Sequence, residues 1–227
     1  MYLKSTHHST KANLINHIPL CRIMNITLTN AGKKYGRNWI FRKFSHQFVA
    51  GKRYVVMGPN GSGKSTLLKI ISGGATLSEG SIEFATNGKK LKPEDVFQYV
   101  SIAAPWLDIP EEYTLEEILT FHTQFKKFAN NISIKEAIKV IEMEHTHEKH
   151  YRNFSSGMKQ RVKLGLAILS DTPLLLLDEP VTALDAKSVK WYQDMVSEYA
   201  KDKSILVFSN NREEEFGFCE ERVHINV

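Results

Sequence analysis

Cysteine is almost missing from the chain: Cys21 and Cys219 are its only two, and they stand near opposite ends of 227 residues. A disulfide framework is thereby disfavoured, and a reducing compartment is the simpler setting. Long apolar runs are missing too. The strongest, Leu174 to Leu177 with its neighbours, is far short of the roughly 20 residues that span a bilayer, so any membrane association must come through a partner. The first 23 residues hold no acid, yet they also lack the apolar stretch of a secretory signal. Nor is there a Lys/Arg-rich block of the kind that tracks a phosphate backbone. The formal charge is +5, of which Lys4, Lys11 and Arg22 lie in that acid-free segment, leaving an ordinary +2 for the rest. No nucleic-acid partner is expected. Internal repeats and low-complexity tracts are likewise absent.

What remains is a chain with 42% hydrophobic residues, enough to bury the core of one large domain. Periodic sequence begins at Met24. Residues 1–23 are expected to be a disordered extension, with Met24 a candidate start, and 24–227 to form the domain. Asn25-Ile-Thr-Leu-Thr and Phe44-Ser-His-Gln-Phe, separated by a turn at Gly36, predict an antiparallel β region. Arg53 to Met57 predicts a buried strand that runs through a glycine-rich loop into a helix at Ser65-Thr-Leu-Leu-Lys-Ile-Ile. Between about 107 and 169 apolar residues recur at i, i+3, i+4, as in Leu115 to Phe121 and Ile134 to Ile141, with Pro105 and Pro110 at the entrance. Leu174 to Leu177 and Ser204 to Phe208 are continuous apolar runs, the mark of central parallel strands. The expected fold is α/β: a mostly parallel sheet, an N-terminal antiparallel β subdomain and an inserted helical subdomain.

The glycine-rich loop reads Gly58-Pro59-Asn60-Gly61-Ser62-Gly63-Lys64-Ser65, followed by Thr66. It fits the P-loop pattern G-x-x-x-x-G-K-[ST], in which glycines let successive backbone N–H groups wrap a phosphate chain at a helix N-terminus. A merely flexible glycine turn would not need a strand before it and a helix after it. In a P-loop, Lys64 reaches the β- and γ-phosphates of ATP and the Ser65 hydroxyl ligates Mg²⁺. The run Leu174-Leu-Leu-Leu-Asp178-Glu179 delivers two adjacent carboxylates at a strand end, where α/β sheets bind ligands. Neighbouring residues on a strand point opposite ways, so the two acids can serve differently: Asp178 toward Mg²⁺, Glu179 as general base for an attacking water. A solvated turn is the alternative. Together these motifs predict a P-loop NTPase core.

Two further stretches narrow the family. Phe154-Ser155-Ser156-Gly157-Met158-Lys-Gln160-Arg161 resembles the L-S-G-G-Q signature of ATP-binding cassette (ABC) ATPases; Ser155 and Gly157 match, while Phe154, Ser156 and Met158 depart. Thr182-Ala-Leu-Asp185, with Pro180, resembles the D-loop of the same family. The resemblance covers Met24 to Val227. It implies an ATPase that works as a dimer, homodimeric or paired with another cassette, in which Ser155 and Gly157 close over ATP held by the other subunit. It also implies a transmembrane permease as partner, a cytoplasmic place on the inner face of the membrane, and an adenine-stacking role for Tyr35, for which a buried strand aromatic is the alternative. Two polar residues of the family pattern are missing. Ala103 or Ala104 stands where a Gln is usual, and Asn210 where a His is usual; Asn210 is expected to keep a hydrogen bond to the γ-phosphate with slower turnover. A soluble ABC ATPase acting on ribosomes or DNA, or an ATP-gated regulatory module with little hydrolysis, are the alternatives. His145, His147, Glu148 and His150 raise a metal site, against which a solvated linker stands as the cheaper reading.

Overall fold

A computed structural model describes residues 23–146 and 148–225. The expected disordered extension therefore lies, apart from Ile23, outside the described residues. β1 (Met24–Tyr35) and β2 (Asn38–Phe48) form a hairpin whose two-residue turn has Gly36 at φ 58, a left-handed conformation that suits a tight hairpin. β3 (Arg53–Met57) opens a second sheet and leads to α1 (Lys64–Ile71). The chain then returns to the first sheet with β4 (Glu79–Thr86) and β5 (Lys89–Leu91), giving the antiparallel order β2-β1-β4-β5. β6 (Val100–Ala103) enters the second sheet. Three helices follow, α2 (Leu115–Phe125), α3 (Ile134–Val140) and α4 (Ser156–Leu169), before β7 (Leu174–Asp178). α5 (Ala186–Tyr199), β8 (Ser204–Ser209), the short α6 (Glu213–Phe216) and β9 (Glu221–His224) complete the second sheet, whose order is β6-β7-β8-β3-β9 with all pairs parallel.

The parallel sheet is covered on both faces, which is why its central strands read as unbroken apolar runs. The two-residue period of a strand sorts them. Val55, Met57, Leu175, Leu177, Ile205 and Val207 enter a core shared with Ile118 and Leu119 of α2, Val162 and Leu164 of α4, and Tyr192 of α5. Tyr54, Val56, Leu174, Leu176, Leu206 and Phe208 face the other way, against Leu67, Leu68, Ile70 and Ile71 of α1 and against Ile26, Phe41 and Phe84 of the antiparallel sheet. Each such buried side chain contributes about 1.5–3 kcal/mol. α1 is thus clamped between two sheets, and the loop ahead of it inherits that rigidity.

The helices of the insertion begin where the sequence caps them. Thr114 with Glu117, and Ser133 with Glu136, form reciprocal capping boxes on α2 and α3. Inside the insertion the His122 ring stacks on Phe128 and its Nε2 lies 2.7 Å from the Ser170 hydroxyl. Burial, with help from the Lys126 ammonium, pushes the imidazole down to about 4. The unfolded chain then binds the proton that the folded chain refuses, so stability is full above pH 6.5 and is lost as pH falls from 6.5 toward 4, by up to about 3 kcal/mol. Urea unfolding at pH 7 and pH 4.5 should show a much shallower loss for His122→Gln, which cannot titrate. An equal loss in both proteins would remove His122 as the cause.

Candidate functional site

All strands of the second sheet run the same way, so their C-terminal ends share one edge. The register keeps those ends level: Met57 pairs with Ser209, Asp178 with Phe208, and Ala103 with Leu177. From this edge the loop Gly58–Gly63 turns into α1. At Gly63, φ is 95, and a Cβ would come within 2.8 Å of Ile40 Cγ2 on β2; at Gly58 it would lie 2.4 Å from Ser62 Oγ. Only glycine permits both approaches. Ser62 Oγ is buried with no hydrogen-bond partner in the protein.

The N-terminus of α1 has no side-chain cap and no acid in its first turn, whereas Thr114, Ser133, Ser155 and Asp185 cap α2, α3, α4 and α5. First-turn N–H groups and the positive end of the helix dipole therefore point into the loop, an arrangement that binds anions. Lys64 is 6% exposed, and its Nζ donates to the carbonyls of Gly58 (2.7 Å) and Pro59 (3.0 Å). A cavity of about 360 Å³ opens here, lined by Asn60, Gly61, Gly63, Lys64, Ser65 and Thr66, with Ile40 from β2 and Glu179 from the far side.

Asp178 closes β7 and is buried. Burial pushes its carboxyl up, opposed by hydrogen-bond donation from the Ser65 hydroxyl and the Trp106 indole and by the Lys64 charge, while Glu179 adds to the rise. Glu179 differs from the sequence expectation in its physical basis. It does not alternate with Asp178 on a strand, because β7 stops at Asp178 and Glu179 turns into the left-handed region at φ 46. Its N–H donates to Phe208 O (3.0 Å) and its carbonyl accepts from Thr182 N–H (3.1 Å), so main-chain bonds from β8 and the following turn hold this sparsely populated conformation. Nearby, Glu215 is 1% exposed, accepts from the Ser209 hydroxyl, and is pushed up chiefly by burial.

The remaining sequence-derived residues are dispersed. Ser155 is exposed and caps α4, accepting from Met158 N–H at 3.2 Å. A Cβ on Gly157 would approach Ala183 O to 3.0 Å, and Gln160 Nε2 donates to Pro180 O (2.8 Å), so the start of α4 is fastened to the turn after Glu179. Neither Ser155 nor Gly157 lines the P-loop cavity. Tyr35 ends β1 with 53% exposure, Lys33 Nζ 5.0 Å from its ring centre, so it is not a buried strand aromatic; the hairpin residue that lines the cavity is Ile40. Asn210 is exposed directly after β8. Ala103 and Ala104 are wholly buried, and the side chain that this loop offers to Asp178 is that of Trp106, which the sequence reading missed. His150 Nδ1 bonds the Glu112 carbonyl, and among the described residues no group of three or more His, Cys, Asp or Glu is arranged to hold a metal; His147 lies outside them.

A parallel sheet with a P-loop before α1 and paired carboxylates beside it defines a nucleotide-binding ATPase core. The chain belongs to the ABC transporter family, whose sequence model matches residues 41–182. It is similar to an uncharacterized ABC transporter ATP-binding protein, YybJ of Bacillus subtilis, with 30% identity over 203 residues, 88% of this chain and 92% of that one. The lantibiotic transport ATP-binding protein SrtF of Streptococcus pyogenes is 26% identical over 191 residues, 82% of this chain and 80% of its own. A solved dimeric bacterial ABC transporter cassette, MJ0796, has the same fold, with a TM-score of 0.74 at 22% identity over 88% of this chain and 94% of that one. The chain is an ATP-binding cassette ATPase, the energising subunit type of an ABC transporter, and the relatives do not favour the ribosome- or DNA-directed alternative.

Proposed function

We propose that two cassettes clasp ATP between them, as a homodimer or with a second cassette, and that the closing and opening of this clasp drives a transmembrane permease. Lys64 and the backbone N–H groups of Gly58 and of residues 60–66 take the β- and γ-phosphates. Ser65 and Asp178, whose hydroxyl and carboxylate face each other, suit a hard cation and would hold Mg²⁺. When bound, that ion neutralises charge on the phosphates. Glu179 accepts the proton of the attacking water, Asn210 donates an amide N–H to the γ-phosphate, and Tyr35 stacks on adenine.

The observation that carries the two-cassette reading is the separation of donors. The P-loop cavity holds Lys64, Ser65 and Glu179 but none of the start of α4, and Ser155 faces solvent instead. A second cassette brings its own Ser155 and the N-terminus of its α4 to that cavity, adding donors for the γ-phosphate. Among the described residues no helix is long and apolar enough to cross a membrane. The permease docks on the helical subdomain at about 107–169, where Tyr113, Phe121 and Phe125 form an exposed row with ring centroids 6.1 and 5.1 Å apart. The chain then lies on the inner face of the membrane through that partner.

Complementation tests the shared site. Ser155→Arg should lower ATP hydrolysis about 100-fold, since one set of phosphate donors is lost, with ATP binding to the isolated chain kept within about twofold. Mixing Ser155→Arg with a P-loop variant that is itself inactive, Lys64→Ala, rebuilds one intact composite site per heterodimer and should restore hydrolysis well above either variant alone. Absence of recovery in a mixture shown to dimerise would overturn the shared site.

A further inference from the structure

Asn210 and Asn211 form the tip of a short turn between β8 and α6, and a buried acid closes the base of that turn. Ser209, the last residue of β8, is 0% exposed; its Oγ accepts from Arg212 N–H (3.3 Å), and its hydroxyl donates to Glu215 Oε2. Glu215 N–H in turn donates to Arg212 O (3.0 Å), so residues 209–212 are clipped to α6 through a side chain and through the main chain. α6 is itself pinned to α5, where the Tyr192 hydroxyl donates to Glu215 O (2.8 Å). The entry to the turn is tied to the carboxylate edge, because Phe208 O accepts from Glu179 N–H (3.0 Å). Asn211 sits at φ 68 and is exposed, as is Asn210, so the shape of the turn comes from its base.

Of the three successive acids of α6, Glu213 and Glu214 are exposed and Glu215 is turned inward at 1% exposure. Its Oε1 has no hydrogen-bond partner among the described residues. A buried carboxyl with one oxygen unpartnered costs free energy that an apolar side chain of that size would not, so stability does not account for its presence. What it supplies is the acceptor for Ser209. We propose that Glu215 is a positioning residue for Asn210: by holding the Ser209 hydroxyl it fixes the turn that carries the Asn210 amide toward the γ-phosphate. The proposal rests on the reading of Asn210 as a γ-phosphate donor. Glu215 does not line the P-loop cavity, so it acts through Ser209 and not by touching nucleotide. Loosening the turn leaves the phosphate donors of the P-loop in place, and the loss falls on the γ-phosphate alone.

The test is the affinity of the full chain for ATP and for ADP, measured by isothermal titration calorimetry in EDTA so that ATP is not consumed. Asn210→Ala should weaken ATP binding about tenfold and ADP binding by less than about twofold. Glu215→Leu, which removes the acceptor but fills the same buried space, should weaken ATP about fivefold with ADP within about twofold. Ser209→Ala should do the same, and carries the test if Glu215→Leu does not fold. Glu215→Gln, which keeps an acceptor for the Ser209 hydroxyl, should bind ATP within about twofold of wild type. In the Asn210→Ala background, Glu215→Leu should add less than about twofold, since the residue it positions is already gone. Equal weakening of ATP and ADP, an ATP affinity unchanged in Glu215→Leu and Ser209→Ala, or the full loss persisting in the Asn210→Ala background would overturn the proposal. If Asn210→Ala itself binds ATP as wild type does, the assignment of Asn210 fails and takes the role of Glu215 with it.

Discussion

Glu179→Gln should lower ATP hydrolysis by about 10²–10⁴-fold while leaving ATP affinity within about twofold. The substitution keeps the side chain's size and its left-handed backbone, so the bonds to Phe208 O and from Thr182 N–H persist and the fold is not perturbed. What disappears is the ability to take a proton from water at the edge of the P-loop cavity, which Glu179 lines opposite Lys64 and Ser65. Substrate binding depends on the loop N–H groups and Lys64, which the variant retains. A catalytically stalled cassette that still binds ATP also has nothing to reopen its clasp. Size-exclusion chromatography with ATP should therefore show a persistent dimer in Glu179→Gln and a shorter-lived one in wild type. Phosphate release above about a tenth of the wild-type rate would place the base elsewhere.

The strand, loop and helix around Lys64 were legible because their signals are local: a five-residue apolar strand, glycines at fixed offsets and an amphipathic helix occur in series. α2 and α3 were legible from apolar residues recurring at i, i+3, i+4 from Leu115 and Ile134, while the capping boxes at Thr114 and Ser133 that start them went unread. Two classes of feature were not legible. One is backbone conformation outside the usual regions. Nothing in Asp178-Glu179-Pro180 announces that the strand stops between the carboxylates, because a non-glycine residue at φ 46 is held there by β8 rather than by its own preference. The other is adjacency made by the sheet. Trp106 meets Asp178 only because β6 lies beside β7, and Ile40 meets the P-loop only because the first sheet folds over α1. β4 escaped notice for a related reason: Glu79 to Thr86 carries little apolar character and becomes a strand by pairing with β1 and β5.

Lys64→Ala should raise the dissociation constant for ATP at least about 100-fold, because charge-assisted hydrogen bonds to phosphate oxygens are worth roughly 1.5–3 kcal/mol each. The geometry also predicts that the unliganded protein will scarcely notice. The Lys64 ammonium bonds only the carbonyls of Gly58 and Pro59, and Pro59 is exposed, so water can replace it there once the side chain is gone. The contrast is measurable in one experiment. At an ATP concentration of about 100 times the wild-type dissociation constant, binding stabilises the wild type by about 2.7 kcal/mol. A 100-fold weaker site at the same concentration is half occupied, and its stabilisation falls to about 0.4 kcal/mol. Thermal melts should accordingly give nearly equal Tm values without nucleotide and, with ATP, a shift several-fold larger in the wild type than in Lys64→Ala. If Lys64→Ala keeps the full wild-type ATP-induced shift, the phosphates are held by the backbone N–H groups without the lysine. If instead its unliganded Tm collapses, the lysine's two loop carbonyl bonds matter to the fold more than their exposure allows.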